Sequence, residues 1–354
     1  MIAEHAPWRK QRHAAWRALE ELRADLVFER TDVPTDRGLR YVKALGCAPH
    51  VALLGNGDEV ADLREAHADD RIGRREADQD EAVGGARSKR YWTISTRSRQ
   101  KAAMAIEILS PSQIERMRRA GRMAAETLAF VGSQLRPGMS TAEIDRLVRK
   151  DTARRGGHPS QLGYKGFPAA VCTSRNNVVC HGIPSPREFL KAGDIINIDV
   201  TTNIDGYHGD TSAMFLIGEV TSEAKRIVDV ARRCRDSGIA VIRHGARLGD
   251  IGAAIEELAR KEGVGVVKEV GGHGIGRHMH ADPHVAHTGK RGTGRRLKAG
   301  MAITVEPMVN LGSAAIRQLD DGWTIVTADG SLSAQWEHTV IVTRDGHEVM
   351  TSLS

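Results

Sequence analysis

Four carboxylates stand at the ends of apolar, strand-like runs. In DIINIDVTT (194–202), alternation puts Asn197, Asp199 and Thr201 on one face and Ile196, Ile198 and Val200 on the other. The turn NIDGYHG follows and Asp210 opens the next strand, so the two arms of a hairpin aim aspartates the same way. In AITVEPMV, Glu306 shares a face with Thr304 and Ala302, and Pro307 ends the ladder. In QWEHTVIV, Glu337 shares a face with Thr339 and Ile341. Any one of these carboxylates alone reads as a surface residue at a strand end. Gathered together they repel one another unless a cation lies between them. Four such oxygen donors and one imidazole make a ligand set for two divalent ions that share bridging carboxylates.

The imidazole must come from GGHGIGRHMHADPHVAH (271–287), which holds His273, His278, His280, His284 and His287. That density is too high for every histidine to be a ligand. His273 sits between glycines, where a backbone can approach a site closely. For His278, His284 and His287, a surface or a buried and paired role is the expectation.

The elements that must position these groups begin near residue 105. Ser110-Pro111-Ser112-Gln113 has the form of a capping box with proline at the first helical position, and Ile114, Met117, Gly121, Ala124, Leu128 and Val131 follow at helical spacing. A second box, Ser140 to Glu143, opens a helix through Ile144, Leu147 and Val148 that stops at Gly156-Gly157. Short alternating strands follow (DIINIDVTT, TSAMFLIG, MAITVEPMV, HTVIVT), separated by helices near 222–242 and 248–262. Arg136, Gly138, Glu143, Ile144 and Gly156 recur 107 residues later as Arg243, Gly245, Asp250, Ile251 and Gly263. That repeat points to two related αβ halves, with the chemistry at their junction.

The 354 residues are 40% hydrophobic but only 4% aromatic, so aliphatic side chains must fill the core. Four cysteines without C-x-x-C spacing indicate neither a zinc finger nor a disulfide framework, and a reducing cytoplasm is the simplest setting. There is no secretory signal and no apolar run long enough for a membrane span. Residues 8–28 fit an amphipathic helix, 51–55 a short strand, and the stretch from Asp58 to Arg90, dense in both charge signs, a solvated linker.

The set Asp199, Asp210, His273, Glu306 and Glu337, with CHGIP (180–184), GHGIG (272–276), EPMV (306–309) and SAQWEHT (333–339), strongly resembles type I methionine aminopeptidase from about Met104 to the C-terminus. The resemblance implies the pita-bread fold, an α/β architecture of two pseudo-symmetric halves around a curved antiparallel sheet. It implies two divalent ions bridged by Asp210 and Glu337, with Asp199 on one and His273 and Glu306 on the other. It also implies hydrolysis by metal-activated water, with Glu306 as proton acceptor. His181 would hold substrate and His280 the developing oxyanion, which answers the histidine question by resemblance. Tyr164, Phe167, Cys172 and Trp323 match positions that shape the methionine pocket. Met279 and Gln161 depart from it, standing where many members have an aromatic residue and a cysteine. Asn176, Val178 and Ser333 match a monovalent-cation site of some members. A proline-specific dipeptidase of the same fold would carry a further histidine where Arg277 follows HGIG.

The activity implied is removal of N-terminal methionine from nascent chains with a small second residue. The enzyme is expected to be a cytoplasmic monomer near ribosomes, with no DNA or membrane partner and with Co, Mn, Fe or Zn as metal. The basic stretch 289–298 reads as a solvated loop that could meet RNA phosphates. Residues 1–103 are an extension without motifs. They are either an appendage that docks a partner or a stretch ahead of a translation start at Met104, and in both cases a chain starting at Met104 is expected to fold and cleave.

Overall fold

The computed structural model describes residues 106–353. The expected helix over 8–28, the strand at 51–55 and the linker that follows lie outside that range.

Both capping boxes form. The Ser110 and Ser140 amides donate to the side chains of Gln113 and Glu143 at 2.7 and 2.8 Å, and the serine hydroxyls accept from the backbone in return. They open helix α1 (Pro111–Gly132) and helix α2 (Thr141–Arg154). Helices α3 (Ser222–Ala240) and α4 (Leu248–Glu262) stand where the apolar periodicity puts them.

The central sheet has nine strands, every pairing antiparallel. Its members here are β1 (Cys172–Arg175), β2 (Ile195–Ile204), β3 (Tyr207–Leu216), β4 (Gly272–Gly274), β5 (Ala281–Val285), β6 (Ala302–Val305) and β7 (Glu337–Val342). The β2–β3 hairpin is tighter than the turn NIDGYHG suggests. Ile204 pairs with Tyr207, leaving Asp205 and Gly206 as a two-residue turn at φ 53° and 78°, the backbone that a twisted hairpin selects. Tyr207 continues the ladder because its side chain is wholly buried.

The run MAITVEPMV is not one strand. Pro307 cannot donate to a ladder, so the chain changes sheets after β6, and Met308–Asn310 enters a separate three-stranded sheet. A second small sheet joins Val178–Cys180 to Ile325–Thr327.

The repeat survives as matched hydrogen bonds. Gly138 N–H donates to Leu190 O and Gly245 N–H to Leu297 O; Leu190 N–H returns to Met139 O and Leu297 N–H to Ala246 O. Each atom of the second pair lies 107 residues beyond its counterpart. The same offset carries Asp199 on β2 onto Glu306 after β6, so the two halves contribute equivalent carboxylates. Alternation sorts the faces. Ile196, Ile198 and Val200 pack with Leu128, Val131, Ile144 and Val148 of α1 and α2. Ile303, Val305, Val340 and Val342 pack with α3 and α4.

A candidate metal centre

The other faces of these strands meet in a cavity of about 300 Å³, whose lining includes Asp199, His273, Glu306, His181 and His280. Asp199 is carried opposite Ser212, and Thr201 opposite Asp210, so the hairpin arms do bring two aspartates together. Glu337 enters beside them because its strand pairs with Ser212. Asp210 and Glu337 are 5% and 2% exposed, which excludes the surface reading for both. Asp210, His273 and Glu337 each offer a donor atom within 4.8 Å of the others.

The glycines around His273 have a steric cause. A Cβ on Gly272 would lie 2.3 Å from Thr304 O, and one on Gly274 would lie 2.1 Å from Asp282 O. Only glycine lets β4 sit that close to β5 and β6. His273 Nδ1 faces Gly274 O at 3.1 Å, while Nε2 points at Glu306 Oε1 (3.5 Å) and Asp210 Oδ2 (3.8 Å). Burial pushes the His273 pKa down to about 4, so near neutrality Nδ1 carries the proton and Nε2 aims a lone pair at carboxylate oxygens. Burial, with mutual repulsion as the next cause for Asp199, Glu306 and Glu337, holds the four carboxyl pKa values above their ordinary range. A lone pair and four crowded carboxyls, two of them lining the cavity, suit a divalent cation.

Each donor is held by neighbours. Thr201 Oγ1 donates to Asp210 Oδ1 at 2.7 Å, Thr304 Oγ1 to Glu306 Oε1 at 2.7 Å, and Gln335 Nε2 to Glu306 Oε2 at 3.1 Å. Gln161 Nε2 donates to Asp199 O and Oδ1 at 2.9 and 3.3 Å. The sequence reading assigned these residues no role. Period-two spacing from a carboxylate was the available signal for Thr201, Thr304 and Gln335; Gln161 showed only as a departure from pattern.

The remaining histidines separate. His280 lies against His273, ring centroids 4.2 Å apart, and against Tyr164 at 5.0 Å. His181 sits at φ 57°, the left-handed region that costs a non-glycine residue about 1–3 kcal/mol, and presents its ring edge to Trp323. His287 is buried and its Nε2 accepts from the Glu306 amide at 3.2 Å. His278 and His284 are exposed, and His284 also lines the cavity. Phe167, Cys172 and Trp323 form an apolar cluster beside the cavity, with Phe167 and Trp323 edge to face at 5.1 Å. Met279 is buried. Asn176 O accepts from the Ser333 amide at 2.9 Å, and Val178 begins the adjoining strand.

Residues 115–344 match the model of metallopeptidase family M24. The methionine aminopeptidase of Escherichia coli K12 is 47% identical over 249 residues, which is 70% of this chain and 94% of that protein. The crystal structure of methionine aminopeptidase from Rickettsia prowazekii superposes with a TM-score of 0.69 at 46% identity, covering 70% of this chain and all of that one. An Xaa-Pro dipeptidase from Bacillus anthracis, at 22% identity and a TM-score of 0.57 over 62% of its length, shares the fold alone.

Proposed function

We propose a division of labour from the premise that the chain belongs to the methionine aminopeptidases of metallopeptidase family M24 and removes N-terminal methionine by metal-assisted hydrolysis. Asp199, Asp210, His273, Glu306 and Glu337 would hold the divalent ions, with Asp210 and Glu337 shared between two of them, Asp199 serving one and His273 with Glu306 the other. The observation that carries this assignment is His273, whose Nε2 lone pair faces two carboxylates at 3.5 and 3.8 Å while Nδ1 is tied to the backbone. When bound, the ions acidify water and polarise the scissile carbonyl. Glu306 takes the proton and returns it to the leaving amine; Thr304 and Gln335 hold its two oxygens apart for that exchange. His280, beside His273, donates toward the carbonyl oxygen as charge develops. His181, fixed by its strained backbone and by Trp323, orients the peptide. The methionine side chain rests against Tyr164, Phe167, Cys172, Met279 and Trp323.

A pocket closed around methionine leaves little room for the next side chain, so nascent chains with a small second residue are the substrates, met near the ribosome in the cytoplasm by a monomer. No helix among the described residues is long and apolar enough to cross a membrane. The metal is Co, Mn, Fe or Zn, whose order of affinity does not fix the cellular choice. Asn176, Val178 and Ser333 hold a monovalent cation. The test pairs metal analysis with peptide cleavage. Chelated protein reloaded with Mn(II) should bind two ions and cleave Met-Ala-Ser but not Met-Phe-Ser; one ion at full activity, or equal rates on both peptides, would refute the assignment.

A further inference from the structure

Two segments share one edge of β2. His158 and Pro159 pair with Asn203 and Thr202, and β1 pairs with Ile196–Asp199. Between them Gln161 continues the edge with its side chain. Its Oε1 accepts from Thr201 N–H at 3.3 Å and its Nε2 donates to Asp199 O at 2.9 Å, as a peptide group would. The second N–H reaches Asp199 Oδ1 at 3.3 Å, and Cys172 Sγ lies 3.8 Å away. A flipped amide would set oxygen against both Asp199 acceptors and N–H against N–H, so the partners fix its orientation. The residue is buried.

We propose that Gln161 is a positioning residue of the metal centre. It clamps Asp199 by backbone and carboxylate together, and through Thr201, whose hydroxyl donates to Asp210, it steadies the neighbouring carboxylate. A cysteine at this place offers one short, weak donor and spans neither pair of partners. The inference rests on the assignment of Asp199 as a ligand. Hydrogen-bond partners of ligating carboxylates typically set 10–100-fold of metal affinity, and Gln161 supplies that share here.

The test titrates Mn(II) by calorimetry into the metal-free full chain. Gln161→Met keeps the volume and removes both donors; about a 10-fold or greater rise in Kd is expected, with altered visible absorption of the Co(II)-loaded form. Asn203→Ala, on the same edge, removes a hydrogen bond to His208 and should lower the melting temperature while leaving Kd and the spectrum unchanged. Should Gln161→Met not fold, Gln161→Ser is measured in its place with the same expectation. A Gln161 variant that keeps wild-type Kd and spectrum, while Asp199→Asn loses metal, overturns the positioning role alone. Unchanged affinity in Asp199→Asn overturns the ligand assignment beneath it.

Discussion

The Nε2 atom of His273 lies 3.5 Å from Oε1 of Glu306, on the side of the ring turned away from its backbone hydrogen bond. Thr304, two residues earlier on the same strand face, holds that Glu306 oxygen with its hydroxyl and takes the His273 amide at 2.9 Å. One threonine thus fixes both partners. Glu306→Ala should fold, because it deletes one of several buried, mutually repelling carboxyls and no apolar core contact. Turnover should fall by roughly 10²–10⁴-fold, since a proton acceptor is lost. Turnover near wild type at saturating metal would remove Glu306 from the reaction.

His181 touches Trp323, and among the described residues no ion pair joins it to a carboxylate. His181→Ala should lower turnover by about 10²-fold and leave metal content unchanged. A fall in metal stoichiometry would make His181 a ligand instead.

How far the sequence carried this depends on which interactions are local. Asp199, Glu306 and Glu337 were legible because strand alternation ties a side chain's face to its neighbours, and His273 because flanking glycines mark a crowded backbone. His181 and His280 were legible only through resemblance. Their positions depend on a left-handed backbone and on rings from distant segments, Trp323 and Tyr164. Gln161 was opaque because its role follows from which edge of β2 is open, a tertiary fact. The turn is shorter than its composition suggests because burial of Tyr207, and not turn composition, decides where the ladder resumes.

Asp151 offers a pH test away from the site. Burial alone would raise its pKa, but hydrogen bonds from Arg154 (2.5 Å) and Arg155 (2.5 Å), with Thr127 at 3.1 Å, outweigh it and leave it below the ordinary value. A depressed carboxylate stabilises the fold above its unfolded pKa of about 3.9, and that stability is lost as pH falls from there through the folded value. Asp151→Asn should therefore cost roughly 1.5–3 kcal/mol at pH 7, and the gap to wild type should close below about pH 4. A gap that stays constant from pH 7 to pH 3 would assign the effect to packing.

The stretch just before α1 sets where the catalytic unit can begin. Leu109 is buried with Met117, Ile275 and Met350, and its amide donates to Gly300 O at 2.8 Å. Glu107 accepts from the side chain of Gln113, the residue that closes the capping box on Ser110. The Leu109 contacts tie this stretch to the second half of the molecule and those of Glu107 and Ser110 tie it to α1, and the family match starts only a few residues later, at 115. A chain beginning at Met104 should accordingly fold and cleave Met-Ala-Ser at the full-length rate, with a melting temperature within a few degrees. A chain beginning at Ser110 loses Leu109, and fully burying a leucine is worth about 1.5–3 kcal/mol. At roughly 2–4 °C per kcal/mol for a unit of this size, it should melt about 3–12 °C lower. If the Met104 chain is insoluble or inactive, residues 1–103 complete the core and the domain boundary moves toward the N-terminus. If the Ser110 chain melts with the full-length protein, Leu109 contributes nothing and the unit begins at the helix itself.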